Sequence, residues 1–177
     1  MFHFHQETPD NLMTEISGNV LLITSRRPRL TLKLHRFLQE KTDVNIIDSI
    51  FVEVQTSIRD ACDDIRDYRR IIKDTPIDYV FIVGYMSETF FPFGIIDHIH
   101  EENPNVRTIF YATLTNDVIH QAKHFKTMFL YDRQAPLEKL LKFMQGVKHF
   151  ESKEVDDELG TGLLVDKNGV ERVWEYN

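Results

Sequence analysis

The chain has 177 residues, 42% hydrophobic and 28% charged, an ordinary composition for a globular protein with one core and some additional structure. A formal net charge of −7 argues against sequence-independent nucleic-acid binding, which needs a basic surface, though it leaves room for a local basic patch. Cys62 is the single cysteine, which excludes an intrachain disulfide and a cysteine-rich zinc site.

Residues 1–17 read as a polar N-terminal arm in which Phe2, His3, Phe4 and His5 alternate. The opening MFHFHQETPDN lacks the basic region and apolar run of a signal peptide. No apolar run approaches the roughly 18–20 residues that span a bilayer, so the expectation is a soluble, cytoplasmic protein without membrane contact. Val20–Thr24 is unbroken in apolar character up to its last residue, as in a strand buried on both faces. It runs into Ser25-Arg26-Arg27-Pro28-Arg29 and then a helix with Leu30, Leu34, Phe37 and Leu38 on one face. A second strand falls within Val44–Val52, in an unresolved register. The helix SIRDACDDIRDYRRIIK follows, with Cys62 on its apolar stripe.

Tyr79–Val83 is another fully apolar strand, ending at Gly84. The loop YMSETFFPFG leads to a helix, IIDHIHEEN, stopped by Pro104. RTIFYAT is the fourth strand. Asn116–Phe125 is a helix with Thr115 placed to cap it. TMFLY is the fifth strand, and Pro136 opens the helix LEKLLKFMQGVKHF. Strands alternating with helices predict an α/β fold: a flavodoxin-like five-stranded parallel sheet with helices on both faces. Residues 18–150 form this domain. Residues 151–177 comprise the acidic stretch ESKEVDDELG and a C-terminal β-hairpin, two alternating runs around Asp-Lys-Asn-Gly with Gly169 at a left-handed turn position. A lone hairpin is marginal in water. It is therefore expected to dock on the domain, pair with the arm, or pair with another subunit.

The order of elements, DYVFIV with its following loop and FGIIDHIHEENPNVRTIFYAT, and FLYDRQAPLEKLL make residues 18–149 resemble the receiver domain of response regulators. Gly94 matches the family's loop glycine and Pro104 its helix stop. The resemblance implies a phosphorylation site, and the chain departs from it at each position. Where the family has two magnesium-binding acids, Thr24 and Ser25 stand, followed by Arg26 and Arg27; where it has the acceptor aspartate, Val83 or Gly84. Ala112 stands in place of its Thr or Ser, with Thr113 adjacent, and Asp132 in place of its Lys, with Arg133 beside it. Magnesium takes hard oxygen ligands, usually carboxylates, and aspartyl phosphorylation needs a carboxylate nucleophile. The expectation is a pseudo-receiver: no enzyme, no cofactor, no metal, no phosphorylated aspartate, and a regulatory role through a protein partner.

Several residue groups bear on function. Ser25, Arg26, Arg27 and Arg29 lie beyond the carboxyl end of the first strand, next to a helix N-terminus, where an anion can bind. They form an anion-binding candidate, and internal pairing or solvation is the competing reading. The alternative function, an anion or nucleotide sensor or another flavodoxin-like enzyme, would use them with Tyr85, Ser87, Thr113 and Asp132. No Gly-rich phosphate loop accompanies them.

Phe90 and Phe91 on the rim loop, with Trp174 and Tyr176 in the tail, form a partner-binding candidate; covering the sheet end is the competing reading for the loop phenylalanines. His120 and His124 have metal-ligand spacing but no accompanying catalytic Glu. In resembling receivers the face of the fourth helix, fifth strand and fifth helix forms dimers, which makes a homodimer an expectation for Asn116–Phe125 and Leu137–Phe150. The tail has no room for a helix-turn-helix unit.

Overall fold

The computed structural model describes residues 16–24, 28–51, 75–84, 99–123, 129–150 and 161–175. In chain order the elements are β1 (Ser17–Thr24), α1 (Pro28–Lys41), β2 (Asp43–Phe51), β3 (Tyr79–Val83), β4 (Arg107–Ala112), α2 (Asn116–Lys123), β5 (Phe129–Asp132), a 3₁₀ turn (Leu137–Lys139), α3 (Leu140–His149), β6 (Thr161–Val165) and β7 (Glu171–Glu175). Residues 99–102 are also helical. The expected helix at 57–73, with Cys62, and the loop holding Phe90 and Phe91 lie outside the described residues.

The strands form one sheet in the order β2-β1-β3-β4-β5-β6-β7. Its first five strands are mutually parallel and follow the 2-1-3-4-5 order of flavodoxin-like doubly wound sheets. The sheet has seven strands rather than five. β6 adds parallel to β5, with Phe129 opposite Leu163 and Tyr131 opposite Val165. β7 then returns antiparallel, with Val165 opposite Glu171 and Gly162 opposite Trp174. Left free, β5 would expose a row of backbone donors and acceptors on the apolar run Phe129-Leu130-Tyr131, and an apolar edge of that kind invites association. The tail covers it within the same chain.

The register of β2 contains a bulge: Val20 lies opposite Ile46 and Leu21 opposite Asp48. Ile47 is the extra residue and packs into the core on the other side of the pleat from Ile46.

Alternation along the buried strands divides the core in two. Leu21, Ile23, Val80, Ile82, Phe110, Leu130 and Leu164 face one side, where Ala122 and Ile119 of α2 and the helical Ile99 cover them. Val20, Leu22, Phe81, Val83, Ile109, Tyr111, Phe129 and Tyr131 face the other, under Leu34 and Leu38 of α1 and Leu140, Phe143, Met144 and Val147 of α3. Helices thus cover both faces. The last helix opens as a 3₁₀ turn after Pro136, whose φ of −58° suits a helix entry.

Three tyrosines sit in the α1–α3 side of the core. Burial is the main reason that the Tyr79 and Tyr111 phenols are pushed up from 10.0 to about 12, and Tyr131 is raised further. The Tyr79 hydroxyl donates to the Met144 carbonyl at 3.4 Å, and that of Tyr131 to the Pro136 carbonyl. The folded state therefore keeps these protons at a pH where the unfolded chain releases them. Stability is full below about pH 10 and falls as pH rises toward 12, by about 1.4 kcal/mol per pH unit for each tyrosine. Thermal unfolding followed across this range should show a steep loss of midpoint, with phenolate absorbance from these residues appearing only as the fold is lost. A midpoint that stays flat to pH 12 would contradict it.

Candidate functional site

The carboxyl ends of the parallel strands gather at one end of the sheet, the usual place for a site in an open α/β fold. β1 ends on Thr24, 4% exposed. β3 ends on Val83, 1% exposed, followed by buried Gly84 at φ +93°. A side chain at that φ is strained. The Gly84 amide donates to the Tyr111 carbonyl at 2.9 Å, which ties the exit of β3 to β4. β4 ends on Ala112, buried, with Thr113 half-buried after it.

Asp132 closes β5 and is 5% exposed. Its carboxylate accepts the Gln134 amide at 2.8 Å and the Leu114 amide at 3.2 Å. One short side chain thereby holds both the turn after β5 and the loop after β4. The alternative function puts Asp132 in a ligand pocket; the two hydrogen bonds its carboxylate accepts come from backbone amides. Removing a buried acceptor leaves those donors unsatisfied. Asp132→Ala is expected to lower stability by about 1–3 kcal/mol, and Asp132→Asn, which keeps one acceptor oxygen, by less. Urea unfolding with an unchanged slope and a lowered midpoint checks this.

Thr115 caps α2, its hydroxyl accepting the Val118 amide at 3.3 Å, as its position predicts. The Tyr111 hydroxyl, fully buried near this end of β4, has no hydrogen-bond partner among the described residues.

The turn between β6 and β7 stands beside β5 at the same end of the sheet. Asp166 organises it: its carboxylate accepts the Asn168 amide at 2.9 Å, the Val170 amide at 3.0 Å and the Arg172 guanidinium at 2.7 Å. The Val170 amide first, with help from Arg172 and Asn168, holds that carboxyl below its usual value. Gly169 has φ +81°, the left-handed conformation its place in Asn-Gly predicts. Its carbonyl accepts the Lys139 ammonium at 3.1 Å, which fastens the turn to the start of the last helix.

Between this turn and α2 lies an open groove of about 590 Å³. Leu114, Ile119, Leu164 and Trp174 supply its apolar wall, and Asp132, Lys167 and Arg172 its polar rim. The sequence reading did not anticipate this groove. It depends on β6 joining β5, a pairing between segments about thirty residues apart that no local pattern reports.

Of the anion-binding candidates, Arg29 is exposed in the first turn of α1, and Ser25, Arg26 and Arg27 lie outside the described residues. Of the partner-binding candidates, Trp174 is half-buried in the groove wall, and Phe90, Phe91 and Tyr176 lie outside the described residues, as do Tyr85 and Ser87. His120 is exposed on α2, and His124 is outside the description. His100 lies 3.2 Å from the Thr108 hydroxyl. Among the described residues no cluster of three His, Cys, Asp or Glu side chains forms, and no helix is long and apolar enough to cross a membrane.

No family model matches the chain, and no curated protein matches it. Among solved structures it is similar to two of the response regulator RcsB. One, concerned with conformational dynamism for DNA interaction in Salmonella typhimurium RcsB, is 14% identical with a TM-score of 0.49, over 75% of this chain and 62% of that one. The other, RcsB from Salmonella enterica serovar Typhimurium bound to promoter rprA in the presence of phosphomimetic BeF3−, is 15% identical with a TM-score of 0.49, over 74% and 98%. The match spans about three fifths of the first of these proteins.

Proposed function

We propose that this chain is a non-catalytic regulatory module of pseudo-receiver type, which acts by contact with a protein partner and is not phosphorylated on aspartate. The observation that carries this reading is the end of β3. A receiver's acceptor aspartate would stand there, and this chain has the buried side chain of Val83 followed by a glycine at positive φ. A second feature agrees with it: the last residue of β5, where a receiver has its Lys, is an aspartate bound to two backbone amides. Transfer to an aspartate needs the carboxylate as nucleophile and a metal to neutralise developing charge, and the chain supplies no carboxylate at the end of β3.

The proposal includes a cytoplasmic location and a protein partner, with no nucleic acid and no membrane. Self-association, where it belongs to the proposal, uses the outer faces of α2 and α3, because β6 occupies the β5 edge. Incubation with an acyl phosphate and magnesium, followed by intact mass measurement, is expected to leave the mass unchanged. A stoichiometric phosphate adduct lost on mild alkaline hydrolysis would overturn the reading.

A further inference from the structure

The outer face of α1 combines two features that the core does not use. The helix has four basic residues, Arg29, Lys33, Arg36 and Lys41, against one acid, Glu40, for a net charge of +3 in a chain whose total is −7. The rest of the chain therefore carries −10. At 100° per residue, Arg29, Lys33 and Arg36 fall on one stripe, about 10 Å long, with Leu32 on the same side. All four are exposed, Leu32 to 57%. Leu34 and Leu38 point away from this stripe into the core, with Leu30 and Phe37 packed beside them. Among the described residues none of the three cations forms an ion pair. Glu40, at the far end of the stripe, is within ion-pair distance of none of them.

Unpaired cations on an otherwise acidic molecule select among polyanions. A duplex or an anionic bilayer extends well beyond the stripe and meets a chain whose other residues carry a net −10, while the screening length is about 8 Å at physiological salt. A compact acidic segment meets only the local field. A phosphate backbone also offers nothing apolar to Leu32, whereas a peptide can place an aliphatic side chain on it.

We propose that this face of α1 docks an acidic protein segment in which an apolar side chain is flanked by carboxylates. The apolar residue rests on Leu32, and the carboxylates pair with Arg29, Lys33 and Arg36. This inference rests on the reading of the chain as a protein-interaction module, and it names the surface and the chemistry of the partner. The two fail separately: a phosphate adduct overturns that reading, and the binding experiment below overturns this one.

The probe is a dye-labelled synthetic helical peptide with one leucine flanked by glutamates one turn away on either side, titrated with the full chain by fluorescence anisotropy. Saturable binding is expected, weakening as salt is raised, with amide shifts in nuclear magnetic resonance spectra confined to residues 29–36. The triple variant R29E/K33E/R36E should bind roughly tenfold more weakly or worse, the combined effect of three exposed charges. Leu32→Ser should lose affinity with the salt dependence retained. All four positions are exposed, so unfolding midpoints should match the parent. If the charge-reversed chain does not fold, the Gln triple variant replaces it. No binding, or binding unchanged in the triple variant, overturns the proposal. So does tighter binding of duplex DNA or phosphatidylserine vesicles to the same residues.

Discussion

Phe143→Ala is expected to lower stability by about 3–5 kcal/mol and the thermal midpoint by roughly 6–20 °C for a chain of this size. Phe143 is 1% exposed and packs edge-on against Tyr131, ring centroids 5.4 Å apart. Tyr131 in turn lies 5.9 Å from Tyr111. This row of rings joins α3 to the penultimate residues of β4 and β5, next to the site end of the sheet. Truncation removes the contact and leaves a cavity that its neighbours fill only in part. Against a total stability of about 5–15 kcal/mol, the loss is a large fraction. Leu32→Ala, 57% exposed on α1, serves as the contrast and should change stability by less than about 0.5 kcal/mol. Equal effects of the two substitutions would contradict the assignment of the core.

A chain ending at Phe150 is expected to be close to unfolded, or to associate. Its loss removes Leu163, Leu164 and Val165, all buried, each worth about 1.5–3 kcal/mol. The sum, roughly 5–9 kcal/mol as an upper estimate, approaches the whole stability of a domain. It also uncovers β5 as an apolar edge. Light scattering should therefore find the full chain no larger than its truncated form, and the truncated form larger or aggregated. A full-length oligomer that falls to a monomer on truncation would show that the tail joins subunits instead.

The outer edge that replaces β5 is better protected. In an antiparallel pairing of β7 with a second copy centred on Arg172, two arginines would lie opposite each other, and like charges directly opposite are unfavourable. The strand that closes the sheet thus carries the charges that discourage its extension.

The strands of the doubly wound core were legible because they are written locally. Tyr79–Val83 is apolar at every position and, as expected of a central parallel strand, buried at every position. The cap at Thr115 and the left-handed Gly169 were legible for the same reason: each is set by a residue and its immediate neighbours. The bulge at Ile47 was not, since the extra residue is defined only against β1. The docking of β6 on β5 is one of three pairings the sequence allows, because strand pairing is a long-range choice that alternation alone does not make.

At the site end, the sequence shows that Val83 and Gly84, not a carboxylate, stand at the end of β3. It did not reveal what Asp132 does. An aspartate after a strand reads equally as ligand, ion-pair partner or turn former, and only the amides of Leu114 and Gln134 separate these. The basic stripe of α1 was present as spacing, but attention to the apolar side of a helix passes over its polar side. What marks Arg29, Lys33 and Arg36 out is the absence of an ion-pair partner among the described residues, and that needs coordinates.

On the proposed reading, the sheet's carboxyl end performs no receiver phosphorylation chemistry. Amide spectra of the full chain, recorded as magnesium and then beryllofluoride are added, test it residue by residue. The amides of Thr24, Val83, Gly84, Thr113 and Arg133 are expected not to move beyond the uniform effect of salt. Saturable shifts clustered on these residues, requiring both magnesium and beryllofluoride, would contradict it.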